Sequence, residues 1–202
     1  MSGRPVRGEA RRDLILDAAI RVLGAEGVGA LTHRRVAAEA GLPLAATTYW
    51  FASKEQLLVS AYRRAADRDI ARVREVAAQH RGGDLTEALT ALLTSELRDG
   101  HIALVACFAM WFEAARRPEL QPIEAEWTDA YETAIEELLG ATGSSEPRLD
   151  AQLVTAAIDG LLLGLLARGG DASDVPAALA PQLSRLVEVL TERMRQPARR
   201  GR

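Results

Sequence analysis

The chain has almost no cysteine, few aromatics and no uninterrupted hydrophobic run of membrane-spanning length. Its one cysteine, Cys107, excludes a disulfide framework and fits a reducing compartment. The longest apolar runs, residues 102–112 and 160–166, fall short of the ~20 residues that span a bilayer. The opening "MSGRPVRGEARRD" lacks the apolar core of a secretory signal. These absences lead us to expect a cytoplasmic protein with no membrane partner. The three histidines, His33, His80 and His101, lie far apart without ligand spacing, and Cys107 has no partner motif. With no phosphate loop or nucleophile elbow either, no metal, cofactor or catalytic role is expected.

What the chain does have is helical periodicity and an uneven charge distribution. Net charge is −3, yet residues 1–80 carry 13 Arg/Lys against 9 Asp/Glu, and residues 81–202 carry 12 against 19. A basic front half suggests a nucleic-acid or membrane-surface module there. Leu14, Ile15, Ala18, Ala19, Val22 and Leu23 form one helical stripe. Thr32 is an N-cap candidate for a short second helix that Gly41 stops, and a third covers roughly residues 44–50. Ser53 and Gln56 form a capping box for a long fourth helix, whose stripe runs through Ala61, Tyr62, Ala65, Ile70, Val73 and Ala77. Gly82 and Gly83 mark a boundary. Asp84 caps a fifth helix, and a sixth runs from about Ile102 to Arg117. A seventh carries Leu120, Ile123, Trp127, Tyr131, Ile135 and Leu138. An eighth covers roughly residues 148–168, Pro176 opens a ninth, and "QPARRGR" is a disordered tail. No strand pattern appears, so the expected fold is all-α with about nine helices.

Only 4% of the residues are aromatic, yet Tyr49, Trp50 and Phe51 are consecutive and follow "LPLAATT". Residues 32–51 read as short helix, tight turn, short helix. Ala37 supplies the small side chain needed where two helices cross, and Gly41 the backbone freedom needed at the turn. The second of these helices has small or hydrogen-bonding residues that suit the DNA major groove. Phe51 is expected to turn into the core and Tyr49 to face phosphate, whereas Trp50 fits either role. Lys54, in the first turn of the fourth helix, opposes the helix dipole, and a bound phosphate would turn that cost into a gain.

The segment "LTHRRVAAEAGLPLAATTYWFASKEQLL" resembles the DNA-binding segment of the TetR family of transcriptional regulators, and "LILDAAIRVLGAEG" resembles that family's first helix. Two departures stand out. Thr47 and Thr48 occupy the place where many members have Leu-Tyr, and Pro43 stands where a capping serine is common. The resemblance implies that Thr32 contacts phosphate and that Arg34 reaches a base. It implies that Leu44, Ala45, Ala46 and Thr48 line the groove, that Tyr49 and Lys54 hold the backbone, and that Arg35 is a weaker phosphate contact. Arg4, Arg7, Arg11 and Arg12 form either a minor-groove arm or a solvated tail.

The resemblance also implies a homodimer on a palindromic operator, usually a repressor released by a small ligand. The expected organisation is a helix-turn-helix domain over residues 1–54, a connecting helix over 55–82, and a ligand-binding and dimerisation domain over 83–196. The eighth helix is apolar nearly all round after Ala156, so it needs burial on several sides. A dimer interface would supply that through Gly160, Leu161, Leu162, Gly164 and Leu165, with Leu183, Leu186 and Leu190 of the ninth helix. Phe108, Trp111, Phe112, Trp127 and Tyr131 either fill the core or line a pocket for a small apolar ligand. Glu113 is expected to pair with Arg116 or Arg117. The alternative function is a helical dimeric interaction protein, or a constitutive DNA binder without a ligand.

Overall fold

A computed structural model describes residues 4–97, 100–140, 143–169 and 175–195. The disordered tail expected at residues 196–202 lies outside these residues, as do parts of two expected loops, 141–142 and 170–174. Nine α-helices and one 3₁₀ turn make up the described chain: α1 Arg4–Glu26, the turn Val28–Ala30, α2 His33–Glu39, α3 Leu44–Trp50, α4 Lys54–His80, α5 Leu85–Glu96, α6 His101–Ala114, α7 Gln121–Leu139, α8 Pro147–Ala167 and α9 Val175–Arg195. No strand occurs among the described residues.

The chain forms two compact units. The first comprises residues 1–68 and 99–126, and the second residues 69–98 and 127–202. Helices α4 and α7 each contribute residues to both. In the first unit, Ile15, Leu16, Ala18, Ala19, Val22 and Leu23 of α1 are buried with Leu31, Val36, Phe51, Leu57, Leu58 and Tyr62. Leu14, expected in that stripe, is exposed instead. The buried face of α1 is centred between Ala18 and Ala19, and Leu16 lies on it where Leu14 does not. Helix α1 starts at Arg4, so the arm carrying Arg4, Arg7, Arg11 and Arg12 is helical rather than a tail. Arg64 of α4 braces α1 by pairing with Asp13 at 2.8 Å and Asp17 at 2.7 Å, and Arg68 adds a second bond to Asp17 at 2.7 Å.

The helix starts follow from local capping. Thr32 Oγ1 accepts from the Arg35 amide at 3.1 Å, and Asp84 accepts from the Glu87 amide at 2.9 Å. Ser53 Oγ accepts from the Gln56 amide at 3.1 Å, while the Gln56 side chain accepts from the Ala52 amide at 2.6 Å. Together these bonds satisfy amides that a helix N-terminus would otherwise leave open.

In the second unit, α9 packs on α5 and α8. Leu85, Leu89, Leu92 and Leu93 of α5 are buried, as are Val154, Ile158, Leu162 and Leu165 of α8 and Leu183 and Leu190 of α9. By length and composition α8 is apolar enough to cross a membrane, which the uninterrupted runs alone did not suggest. It carries Arg148, Asp150 and Asp159, and Val154, Ile158, Leu162 and Leu165 on one of its faces are buried within the unit.

Candidate functional site

Helices α2 and α3 meet at a tight turn. Ala37 is buried where they cross, and its carbonyl accepts from the Leu42 amide at 2.9 Å. Gly41 has φ +65°, a left-handed conformation that side chains disfavour. Pro43 precedes α3 with φ −61° and makes no side-chain cap, so the first turn of α3 relies on its own backbone.

The paired threonines separate cleanly. Thr47 is fully buried, and its hydroxyl lies 2.9 Å from the Leu44 carbonyl and 3.3 Å from that of His33, fastening α3 to α2. Thr48 is exposed on the opposite side with Leu44, Ala45 and Tyr49, while Ala46 is half-buried. Tyr49 is 78% exposed, far beyond what a core aromatic would show. Its ring meets Trp50 edge-on at 5.2 Å. Trp50 is half-buried and lies against α1, where a β-carbon at Gly8 would be 3.5 Å from its ring. Phe51 is buried, as expected, with the Arg12 guanidinium 5.7 Å from its ring centroid.

The flanking cations differ in availability. Arg34 is exposed and has no ion pair among the described residues. Lys54 is half-exposed, and its ammonium donates to the Gly29 carbonyl at 3.5 Å, near the limit of a hydrogen bond. Thr32 is exposed at the start of α2, its hydroxyl engaged in the cap. Arg35 is committed elsewhere. It pairs with Glu26 at 2.6 Å and Glu39 at 3.0 Å, and the hydrogen bonds it donates to these carboxylates raise its pKa further. The charge expected to reach phosphate is therefore already neutralised by two carboxylates, one of them four residues along the same helix.

The expected ligand aromatics fall into two sets. Phe108, Trp111 and Phe112 lie on α6 in the first unit, with Phe108–Trp111 and Trp111–Phe112 ring contacts at 6.1 and 5.7 Å. Trp111 and Phe112 are exposed there, so they do not fill that unit's core. Glu113 beside them pairs with Arg117 at 2.8 Å and Arg116 at 3.4 Å. Trp127 and Tyr131 lie on α7 in the second unit and share one acceptor. The Trp127 indole donates to Asp69 Oδ2 at 2.8 Å and the Tyr131 hydroxyl to the same oxygen at 2.5 Å. Asp69 is only 3% exposed and also pairs with Arg72.

Asp69 was not anticipated, although a signal existed. It falls on the buried stripe of α4 between Tyr62 and Val73, where a charge must find partners. Tyr62, also fully buried, donates to Glu124. Burial pushes its hydroxyl pKa up and Glu124 adds to the rise, so it remains a donor.

The residues expected at a dimer interface divide as well. Leu162, Leu165, Leu183 and Leu190 are buried within their own chain, because α8 and α9 pack together and α9 on α5. They therefore have little surface left for a partner. Leu161, Gly164 and Leu186 are half-buried, and Gly160 is exposed with open space around it. The open face of α8 is instead Leu149, Leu153, Ala156, Gly160, Leu163 and Ala167, spaced alternately four and three residues apart.

Comparison with known proteins agrees with this geometry. A family model described as bacterial regulatory proteins, tetR family, matches residues 15–61. A second, described as the tetracyclin repressor-like C-terminal domain, matches residues 80–193. The chain is 33% identical to the multidrug binding protein EbrR, over 95% of this chain and 98% of that one, with a TM-score of 0.62. EbrR has been solved in complex with imidazole, ethidium, proflavin and malachite green. A transcriptional regulator from Rhodococcus sp. Rha1 is 26% identical, over 88% of this chain and 96% of that one, with a TM-score of 0.72. The HTH-type transcriptional regulator BetI of Rhizobium meliloti (strain 1021) is 33% identical over 116 residues, about half the length of either chain. These matches cover both the helix-turn-helix segment and the helical remainder: the chain belongs to the TetR family of transcriptional regulators.

Proposed function

We propose that the protein is a cytoplasmic homodimer that represses transcription from a palindromic operator and leaves it on binding a small ligand. The observation that carries the DNA-binding part is the open face of α3, where Leu44, Ala45, Thr48 and Tyr49 stand clear of the core. Arg34 lies nearby without a carboxylate partner among the described residues. A face of this size and polarity suits a major groove about 12 Å wide. In this reading Thr48 and the small side chains approach base edges, Arg34 reads a guanine, and Tyr49, Thr32 and Lys54 hold phosphates. Trp50 contributes by seating α1, and Arg35 by tying α1 to α2, rather than by touching DNA.

The dimer reading is supported by α8. Leu149, Leu153 and Leu163 form an exposed apolar stripe with Ala156 and Gly160 between them, which a second copy would cover. Gly160 stays in the proposed interface, with Leu161, Gly164 and Leu186 at its margin.

For the ligand we assign recognition to Trp127 and Tyr131, and its chemistry to an aromatic cation rather than an apolar molecule. Ethidium, proflavin and malachite green, each solved in complex with EbrR, are aromatic cations. Here the two rings share the buried carboxylate of Asp69, whose charge Arg72 balances. A cation that takes over the role of Arg72 would gain a desolvated counter-charge beside two aromatic side chains. Release of DNA requires the ligand to favour the arrangement that binds DNA poorly, and operator must then weaken ligand binding by the same factor.

The test is titration of malachite green into the protein with and without saturating operator. We expect weaker dye binding with operator present, and Asp69→Asn should lose dye affinity while keeping operator affinity. Equal dye binding with and without operator would replace this reading with that of a constitutive DNA binder.

A further inference from the structure

Gly24 lies inside α1, where glycine is a poor helix former and nothing in the chain path requires one. The reason for it is on α6. A methyl group at Gly24 would overlap the carbonyl oxygen of Ile102 and stand 2.8 Å from its Cγ2 and 2.9 Å from its carbonyl carbon. Most of what it meets is backbone, which cannot swing aside as a side-chain end could. The first turn of α6 therefore rests on the bare backbone of α1. That turn begins at Gly100, whose carbonyl accepts from the Leu104 amide at 3.2 Å.

The same stretch of α1 is tied to the helix-turn-helix. Arg21, three residues before Gly24, pairs with Glu39 of α2 at 2.9 Å, and Glu26, two residues after it, pairs with Arg35 of α2 at 2.6 Å. Six residues of α1, 21–26, thus touch α6 through Gly24 and hold α2 through two ion pairs. Helix α2 in turn holds α3 through the Thr47 hydroxyl. Gly24 belongs to the segment matched by the DNA-binding family model and Ile102 to the segment matched by the C-terminal one. Both lie in the first compact unit.

We infer that Gly24 is a positioning residue for DNA binding: its missing side chain lets the first turn of α6 set the placement of α1, and through α1 that of α2 and α3. This inference rests on the reading of the protein as a ligand-regulated DNA binder, and it assigns the point at which regulation enters the DNA-binding helices. Packed contacts of this kind are bistable rather than continuously deformable, so a small shift of α6 is passed on.

Gly24→Ala in the full chain is the test, with a duplex operator selected from random sequence and malachite green as the ligand probe. The added methyl must push α6 away from α1, so a merely structural role predicts a lower melting temperature with unaltered operator affinity below it. We expect helicity to hold and the melting temperature to fall as α6 is pushed off α1; well below that temperature operator affinity should fall about tenfold, and malachite green should lose most of its effect on operator binding. Unchanged operator affinity with an unchanged dye response would overturn the inference.

Hydrogen exchange on the wild type is a second measure that no folding defect can disturb. Operator binding should slow exchange at the Gly27 and Leu104 amides, on either side of the contact. Protection confined to α2 and α3 would overturn the inference. If malachite green fails to release the wild type, the ligand reading fails, while operator affinity and exchange still decide the role of Gly24.

Discussion

On α3 the side chains left to solvent are Leu44, Ala45, Thr48 and Tyr49; on α8 they include Leu149, Leu153 and Leu163, with Ala156 and Gly160 between them. Both helices have a buried face that fixes them to their own unit, and both leave the other face open. The open face of α3 is short, mixed and flanked by cations. That of α8 is long and apolar, with no basic residue on it. An open face shows the chemistry of its partner, so α3 suits a hydrated, negatively charged surface and α8 suits another apolar helix. Binding at the first should depend strongly on salt, and binding at the second hardly at all.

The largest effect is expected on α8. Leu153 is 46% exposed in the single chain, whereas Leu162, nine residues on, is 3% exposed. Leu153→Glu should leave the fold within about 0.5 kcal/mol of wild type, yet it places a charge in the proposed interface. Sedimentation should then find monomer, and operator binding should be lost with the dimer. Leu162→Ala should instead cost about 2–5 kcal/mol of folding stability in a urea melt. If Leu153→Glu remains a dimer, the open face of α8 is not where copies meet.

A smaller effect, and the sharper contrast, is expected between Arg34 and Lys54. Arg34→Ala should reduce preference for operator over random DNA by about 1–3 kcal/mol per contacted base pair. Lys54→Ala should weaken both alike and make the plot of log K against log salt shallower by about 1 per subunit. Competition binding at several salt concentrations measures both. Equal losses on operator and random DNA for Arg34→Ala would move it to the backbone contacts.

The smallest effect concerns acid. Burial pushes the carboxyl pKa of Asp17 up, but the Arg64 hydrogen bond and the charges of Arg64 and Arg68 outweigh it and hold it below the ordinary 3.8. The unfolded chain then takes up the proton at higher pH than the folded one. The stability Asp17 contributes is complete above its unfolded pKa and is lost as pH falls through the folded value. Asp17→Asn should therefore be less stable than wild type at neutral pH, with the gap narrowing as pH falls below the ordinary 3.8 and closing once it passes the lower folded value. A gap in urea melts that does not change with pH would show that the Arg64–Asp17 brace contributes nothing through charge.

Much of this was legible in the sequence where the cause is local. The Thr32, Ser53 and Asp84 caps depend on residues within four positions, and each helix start was readable from them. The α4 stripe of Ala61, Tyr62, Ala65, Ile70, Val73 and Ala77 is buried as its period implied. What was not legible depends on packing between distant segments. Which of Thr47 and Thr48 turns inward is decided by where α2 lies, because Thr47 reaches the His33 carbonyl. Which leucines of α8 remain open is decided by α9. Arg35 could have been read in part, since Glu39 is four residues along the same helix, but Glu26 comes from α1. Asp69 is hidden in the sequence because its neighbours on the stripe are apolar and its partners Trp127 and Tyr131 lie 58 and 62 residues away.

The central claim is that α3 reads a specific duplex while α8 joins two copies to do so. Its most direct test is fluorescence anisotropy of a labelled operator with the wild-type chain, combined with sedimentation of the complex. The account predicts two chains per palindromic duplex and an affinity at least about a thousandfold above that for a scrambled duplex. Equal affinity for the two duplexes, or one chain per operator, would contradict it.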